Sequence, residues 1–272
     1  MNNIFLLFTN YSKLRGYMKE FFGFGGYQRE VEGFMSWQHL VFVTSLVVIM
    51  ILMAVFLGMR NRDKDEKTKN KVLIVSAILI DSFEIFKIIL VSVRSEDPNA
   101  WQMMLPLFLC SIQLIALPLA AFTKGRIKES SLDFVFIFGI LGALLGTYGA
   151  GNNYGSYPVL SFDNVVSGIT HTIAGFASLY IVISRMASMK RENIKISLSI
   201  LTGFCVVAYI VNVIIDYNYM FLMRGDGTPY DIFYNMVNGN PVVYPIIVVL
   251  LFYVYIALFY YIYYLATKKK KA

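Results

Sequence analysis

The chain has 272 residues, of which 57% are hydrophobic, 16% aromatic and only 15% charged. A water-soluble domain of this length exposes far more Lys and Glu, so the composition excludes an ordinary soluble protein. The net charge of +7 is explained by basic loops beside a membrane rather than by a nucleic-acid partner. We therefore expect an all-α, multi-pass protein of the cell membrane, with no nucleic-acid partner and no soluble protein partner.

Seven apolar stretches are each long enough to cross a hydrocarbon core, which takes about 20 residues. We expect one seven-helix transmembrane domain at 38–266, an interfacial N-terminal segment at 1–37 and a basic cytoplasmic tail at 267–272. The predicted transmembrane helices, numbered 1 to 7 in chain order, are 38–58, 72–93, 101–122, 130–150, 164–186, 195–222 and 242–266.

The basic residues between these helices alternate in number from one side of the membrane to the other. Lys and Arg total 17 on one side and 6 on the opposite side. Because cytoplasmic loops carry the excess, the N-terminus is predicted to lie outside and the C-terminus inside. The basic run at 268–271 is then expected to contact anionic lipid at the cytoplasmic face.

Polar side chains inside the predicted helices fall at one level of the membrane. A helix rises about 1.5 Å per residue, so Cys110 lies about 14 Å and His171 about 10 Å from the outer ends of their helices. His39, Asn212 and Asp216 fall in the same outer half. A thiol, an imidazole and a carboxylate at one level indicate a polar binding site or a site of chemistry.

Predicted helix 2 carries Asp81, Glu84 and Lys87 at a spacing of three residues, so the three charges share one side. Charged side chains that face lipid cost several kcal/mol, so this side is expected to face the bundle or a wet cavity. Because a Lys within reach neutralises its neighbours, a structural cluster that fastens helices is the favoured interpretation. For His171 with Asp216, a structural and a functional role are equally open.

Cys110 alone is weak evidence of function, because a cysteine in a membrane helix is most often a small apolar filler. Pro106 and Pro118 bend its helix and free backbone carbonyls. Gln113, one turn beyond the thiol, is a hydrogen-bond partner within reach. To act as a nucleophile, Cys110 needs a nearby base that forms its thiolate. Cys110 and Cys205 suggest no disulfide and no metal cluster, and we expect no metal and no cofactor.

Predicted helix 4 has a row of glycines at three- and four-residue spacing, namely Gly139, Gly142, Gly146 and Gly149. Such a row gives a smooth face for close helix packing. It is not a phosphate-binding loop, because no strand precedes it and no GK[ST] sequence follows it.

Four stretches carry a family resemblance in their order and spacing: SWQHL at 36–40, LPLFLCSI at 105–112, ITHTIAGFASLYIV at 169–182 and N(x)3DYNYMFL at 212–222. They resemble the YwaF-type bacterial integral membrane proteins, which are related to the eukaryotic transmembrane protein 164 acyltransferases. The resemblance covers nearly the whole chain. It implies a seven-helix fold and, in the eukaryotic branch, acyl transfer between lipids through a cysteine in helix 3.

Carried over residue by residue, the resemblance matches Cys110 with the acyl-accepting cysteine and His171 with the histidine of helix 5. The polar end of helix 6 is matched by Asn212, Asn218 and Tyr219. Phe108 departs from the pattern, because relatives often have a polar residue, commonly His, two places before the cysteine. This departure bears on activity and on the choice of substrate.

The leading hypothesis is a lipid acyltransferase or acyl hydrolase whose partners are membrane lipids. Cys110 attacks an acyl ester, His171 acts as general base and then as acid, and Asp216 orients His171. Either Asn212 or Gln113 donates a hydrogen bond to the oxyanion.

The remaining substrate-binding residues are expected to be His39, Asn218 and Tyr219, beside Gln113 and Asn212. The alternatives are a non-enzymatic carrier or solute-binding protein with a polar pocket, and a structural membrane protein. A carrier is expected to show broken helices and an internal repeat, and the sequence shows no convincing repeat.

Overall fold

The computed structural model describes residues 14–268, and within that range it is built from helices and contains no strand. The predicted all-α class is confirmed. Residues 1–13 and 269–272 lie outside the described residues, and with them part of the predicted N-terminal segment and most of the predicted basic tail.

A helical stretch at 14–22 precedes the main helices. The α-helices that follow are α1 (Trp37–Asn61), α2 (Glu66–Arg94), α3 (Gln113–Phe122), α4 (Gly125–Thr147), α5 (Gly151–Ser156), α6 (Phe162–Ile183), α7 (Ile194–Ile215), α8 (Asp231–Met236) and α9 (Val243–Lys268). Short 3₁₀ turns lie at Ala100–Met104, Leu109–Ile112, Arg191–Asn193 and Tyr219–Phe221.

Five helical stretches of the described residues are long and apolar enough to cross a membrane. They are Trp37–Asn61, Gly125–Ser156, Phe162–Ile183, Arg191–Ile215 and Val243–Thr267. These five agree with five of the seven predicted helices. Of the other two, α2 is 29 residues long but carries several charges, and the chain at 101–122 is broken.

The prediction of one continuous helix at 101–122 is wrong. The chain passes through a 3₁₀ turn, extended residues at Leu105 (ψ 137°) and Phe108 (ψ 160°), and a second 3₁₀ turn before α3 begins. Pro106 explains the break, because proline lacks an N–H and disfavours the helical conformation of the residue before it. Cys110 therefore lies in a 3₁₀ turn and not within a long helix.

The prediction that helix 6 extends over 195–222 is also corrected. α7 ends where Asp216 adopts a left-handed conformation (φ 53°, ψ 51°), which turns the chain away from the helix axis. Asn218 and Tyr219 therefore lie in the loop after α7. Asn212 closes that loop, because its amide donates to the Tyr219 carbonyl at 3.0 Å and accepts from the Tyr219 N–H at 2.7 Å.

α4 and α6 form the most extensively packed helix pair, at the centre of the bundle. Glycine makes their close approach feasible, because a Cβ added at Gly139 would lie 2.6 Å from the Ala174 carbonyl oxygen. A Cβ added at Gly175 of α6 would overlap Met50 of α1 and Ala143 of α4. The predicted packing role of the α4 glycine row is confirmed at Gly139.

The two ends of the bundle are called the mouth end and the basic end. The mouth end is where α1 and α6 begin and where α2 and α4 end; the opposite end is the basic end. At the basic end, the buried Asp133 carboxylate accepts hydrogen bonds from the backbone N–H groups of Ser188 and Met189, at 3.0 and 2.8 Å. It also accepts from the Asn193 amide and the Tyr260 hydroxyl. These bonds hold the loop between α6 and α7 in place.

At the mouth end, an ion pair fastens the segment that precedes α1. Arg94 Nη2 lies 2.7 Å from Asp163 Oδ1, and Arg94 Nη1 donates to the Phe22 carbonyl at 2.8 Å. The Tyr27 hydroxyl donates to Asp163 Oδ2 at 2.5 Å. Burial, together with the neighbouring Asp163, raises the pKa of Tyr27 to about 12. The hydroxyl therefore keeps its proton and remains a donor.

Replacing Arg94 with glutamine is expected to release residues 14–33 from the bundle. The change leaves Asp163 as a buried carboxylate without its cation, which costs about 3–5 kcal/mol. Limited proteolysis should cut this segment faster in R94Q than in the native protein. Arg224→Gln is the matched control, because Arg224 and Asp226 are 48% and 42% exposed and such pairs contribute little. Equal protease sensitivity in R94Q and the native protein would show that the ion pair does not hold the segment.

Candidate functional site

A cavity of about 640 Å³ opens at the mouth end, between α2, α4, α6 and the broken segment before α3. On the side of the loop after α4 the lining of the mouth is polar and includes Asn152, Asn153, Ser156, Tyr157 and Asp163, whereas Met103, Met104 and Leu105 line it on the side of the broken segment. The deepest lining residues are apolar, namely Ile80, Leu114 and Ala174. Cys110 and His171 lie between these two parts. The cavity therefore suits a molecule that has one polar and one apolar portion.

Cys110 reaches the cavity from the 3₁₀ turn Leu109–Ile112. It is half-buried and faces α4, where a Cβ added at Gly142 would lie 3.8 Å from the Cys110 Cβ. Ser111, the next residue, also lines the cavity. Cys110 is thus part of the cavity wall and not an apolar filler, whereas Cys205 is buried in α7.

The ring of His171 is fixed by its own helix, α6. Its Nδ1 lies 2.7 Å from the carbonyl oxygen of Ser167, one turn earlier. Because a carbonyl oxygen only accepts, Nδ1 carries the proton and donates it, and Nε2 of the neutral ring keeps a lone pair. On the other side the ring lies against α4, where a Cβ added at Gly146 would overlap Nε2 and Cδ2.

The Cys110 thiol and the His171 imidazole line the same cavity and lie within interaction range of each other. α4 brings them together, because Gly142 and Gly146 lie one turn apart on the same helix face, against Cys110 and His171 respectively. A cysteine beside a histidine nitrogen that bears a lone pair is the arrangement of an activated thiolate nucleophile. The Ser167 carbonyl orients the histidine, as the third group of such a constellation does.

Glu84 and Lys87 of α2 neutralise each other, as the structural interpretation expects, but the described residues show no ion pair that links either of them to another helix. Glu84 and Lys87 both line the cavity and pair with each other, with Lys87 Nζ 2.5 Å from Glu84 Oε1. Asp81 lies outside the cavity lining, and its buried Oδ1 has no hydrogen-bond partner in the described part of the chain.

Asp216 does not orient His171, contrary to expectation. Its side chain is exposed at the end of α7 and is not among the described residues that line the cavity. The His171 Nδ1 that it would engage is already bonded to the Ser167 carbonyl. A backbone group therefore occupies the place expected for a carboxylate.

His39, an expected substrate ligand, is engaged within the fold. It is fully buried, its Nδ1 accepts from the Met35 N–H at 3.1 Å, and its Nε2 donates to the Thr147 carbonyl at 3.1 Å. The ring packs on Tyr154, with 3.9 Å between ring centroids. Both ring nitrogens are occupied, so neither is left for a ligand.

The expected ligands of the loop after α7 stabilise that loop. Asn218 accepts from the Met223 N–H at 2.9 Å and donates to the Asp226 carboxylate at 2.7 Å. The Tyr219 hydroxyl donates to the Gln102 carbonyl. Neither Asn218 nor Tyr219 is among the described residues that line the cavity.

The two expected oxyanion donors also lie away from the cavity lining. Both polar atoms of the Asn212 amide are bonded to Tyr219, which closes the loop after α7. Gln113 is 1% exposed, and its amide has no partner within residues 14–268. In this arrangement neither Asn212 nor Gln113 donates a hydrogen bond to a carbonyl oxygen that lies in the cavity near Cys110.

Phe108, where relatives often have a polar residue, belongs to an aromatic wall beside Cys110. Its ring lies 5.1 Å from Tyr219 and 6.4 Å from both Tyr217 and Phe221, between ring centroids. Phe108, Tyr217 and Phe221 all line the cavity. This side of the cavity is consequently apolar.

The loop GAGNNYGSYP at 149–158 follows predicted helix 4 with many Gly, Asn and Tyr, a composition that suits the mouth of a cavity, and its Asn153 and Tyr157 line this one. Sequence reasoning missed Ser167 and Thr170, which also line the cavity. Ser167 lies four residues before His171, the spacing at which a backbone carbonyl is reached by a side chain. Every helical residue has such a carbonyl, so the spacing alone does not single out Ser167.

These observations define a multi-pass helical membrane protein that holds a thiol–imidazole pair in a cavity at one end of its bundle. The profile of the TMEM164 family matches residues 34–268, a range that spans α1 to α9. The chain belongs to the TMEM164 family. No curated protein and no solved structure matches it significantly.

Proposed function

We propose that the protein is a membrane-embedded lipid acyltransferase or acyl hydrolase that works through an acyl intermediate on Cys110. The observation that carries this proposal is that Cys110 and His171 line one cavity within interaction range of each other, between the polar loop after α4 at its mouth and apolar residues beneath. An ester lipid has its carbonyl where its polar and apolar parts join, which corresponds to the level of this pair. The resemblance to eukaryotic acyltransferases supports the same reaction.

In the first half of the reaction, His171 Nε2 takes the thiol proton and the sulfur of Cys110 attacks the ester carbonyl carbon. The carbon–oxygen bond then breaks, the leaving alcohol takes the proton from His171, and a thioester remains on Cys110. In the second half, His171 takes a proton from the hydroxyl of an acceptor lipid or from water, and that oxygen attacks the thioester. The sulfur leaves and regains the proton. A lipid acceptor gives acyl transfer, and water gives hydrolysis.

The proposed topology has seven spans, with α2 and the broken segment through α3 added to the five apolar helices. At 1.5 Å per residue, α2 is about 43 Å long, which is enough to cross, and its Glu84 and Lys87 face the cavity instead of lipid. The loops at the basic end carry the excess of Lys and Arg. This end is therefore assigned to the cytoplasm and the mouth end to the outside. We place the protein in the cell membrane, in a YwaF-type bacterial branch of the family.

Mass spectrometry of the intact protein tests the acyl intermediate. After incubation with a lipid ester labelled in its acyl chain, the native protein is expected to carry the labelled acyl group on Cys110, removable by hydroxylamine. Cys205→Ser, which removes the other cysteine, should retain the adduct, and Cys110→Ser should lose it. An unlabelled native protein, or label on Cys205 alone, would contradict the proposal.

A carrier for a small solute is the second candidate, because one observation favours it. The unwound backbone at 105–108 lies beside the cavity, and broken helices at a binding site are typical of transporters. A carrier should move a solute into vesicles without an adduct on Cys110. It should also move that solute equally well after Cys110→Ser.

A further inference from the structure

Lys87 lies at the same depth in the bundle as the Cys110–His171 pair. α2 and α6 run in opposite directions and are tied at the mouth end by the ion pair of Arg94 with Asp163. Lys87 precedes Arg94 by seven residues on α2, and Thr170 follows Asp163 by seven residues on α6. Seven residues span about 10 Å of helix, so Lys87 is level with Thr170 and therefore with the adjacent His171.

The fold does not account for the charge of Lys87. Its ammonium pairs with Glu84 of the same helix, and within residues 14–268 neither residue is bridged to another helix. An ion pair taken out of water contributes little net stability, and charges in membrane segments most often serve function. Among the described cavity residues, Lys87 is the one Lys or Arg.

The proposed reaction needs a positive group or donor at this level. When sulfur attacks an ester, negative charge develops on the carbonyl oxygen, and a group placed in advance to receive it is a large part of catalysis. The donors expected from the sequence do not serve, because Asn212 is bonded within its loop and Gln113 does not line the cavity. Lys87 has a charge of the right sign at the right depth.

We propose that the Lys87 ammonium stabilises the negative charge on the acyl carbonyl oxygen while the thioester on Cys110 forms and breaks down. Glu84 positions the ammonium until the substrate enters. This role rests on the proposed function. Lys87 keeps its proton throughout and donates a hydrogen bond; the electron pair on the oxygen returns to the carbonyl carbon when the alcohol leaves, and His171 carries the transferred proton.

The test compares two variants that differ in this charge. Lys87→Met alone would leave Glu84 as an unpaired buried carboxylate, which is itself destabilising. E84Q, which keeps the ammonium, is therefore compared with E84Q/K87M, which has no unpaired charge at either position. With the labelled lipid ester, formation of acyl-Cys110 should be about a hundredfold to a thousandfold slower in E84Q/K87M than in E84Q. E84Q/K87R, which restores a positive charge, should recover part of that loss. Lys190 is exposed, so Lys190→Met should react at the native rate.

Alkylation of Cys110 by iodoacetamide distinguishes this role from a structural one. No ester carbonyl takes part in alkylation, so E84Q/K87M should react at the rate of E84Q. Equal acyl-transfer rates in the two variants would overturn the role of Lys87, and so would a parallel loss of alkylation and acyl transfer. If the native protein forms no acyl-Cys110, the proposed function itself fails and the role of Lys87 fails with it. A native adduct with no effect of Lys87 overturns the role alone.

Discussion

Replacing His171 with glutamine is expected to slow the transfer of an acyl group to Cys110 by about a hundredfold to ten-thousandfold. Glutamine retains a polar side chain but cannot take a proton from the thiol, so the proposed mechanism loses the base that forms the Cys110 thiolate. The hydrogen bond of His171 Nδ1 to the Ser167 carbonyl leaves Nε2 as the nitrogen that acts. The measurement is the single-turnover rate of acyl-Cys110 formation from the labelled lipid ester.

The chain offers a matched control for this change, because its only other histidine is His39. His39→Gln breaks hydrogen bonds to Thr147 and Met35, so it should lower thermal stability. The folded fraction of H39Q should nevertheless transfer acyl groups at the native rate. Added imidazole should restore part of the activity of His171→Ala, which leaves space for it. H171Q activity above about a tenth of the native rate would show that another group is the base.

The multi-pass helical class follows from the sequence because an apolar stretch of about 20 residues has few alternatives to a membrane-spanning helix. The length of an apolar stretch does not reveal whether the stretch is helical throughout. This is why the prediction of one continuous helix at 101–122 is wrong. The residues there remain apolar whether the chain is helical or extended. Pro106 indicates a bend, but the sequence does not distinguish a bent helix from one interrupted over several residues. That difference places Cys110 in a turn that faces α4.

The helical rise predicts depth only where the chain is helical. It applies to His171, which lies within the continuous helix α6. It does not apply to Cys110, because the chain before this residue is broken and Cys110 lies in a 3₁₀ turn. Asp216 is a second residue at which helical geometry ends. The sequence places Asp216 on the same helix face as Asn212, on the assumption that the helix includes both. The structure ends α7 before Asp216, which adopts a left-handed conformation. Helical periodicity has no meaning beyond that residue.

Some residues that were predicted as ligands instead form hydrogen bonds within the fold, because polar residues occur inside membrane proteins for two reasons. One reason is function, and the second is the need to satisfy backbone groups where helices end or break. His39 meets the second need at the end of α4, and Asn212 meets it in the loop after α7. Their backbone partners are set by how the chain folds back on itself, so a single sequence does not separate them from ligands.

Replacing Gly146 with alanine is expected to lower acyl transfer by about a hundredfold with little loss of stability. The added Cβ would overlap Nε2 and Cδ2 of His171, and Nε2 is the nitrogen that the Nδ1 bond to Ser167 leaves with a lone pair. The ring must then rotate away from Cys110, and a displacement of about 1 Å at a reacting group is enough for a loss of that size. Alanine is also the better helix former by about 1 kcal/mol, which offsets part of the strain in α4.

Gly142→Ala separates this steric effect from a general effect of adding a methyl group to α4. Its Cβ would lie 3.8 Å from the Cys110 Cβ, an ordinary contact, so G142A should keep a rate near that of the native protein. Gly203→Ala in α7, whose added Cβ meets no neighbouring atom within 4 Å, should leave the rate unchanged and raise stability by about 1 kcal/mol through helix propensity. Equal rates in G146A and G142A would mean that His171 need not point at Cys110 for the reaction to occur. If only G146A loses rate, and its Cys110 still reacts with iodoacetamide, then acyl transfer requires the native orientation of the His171 imidazole.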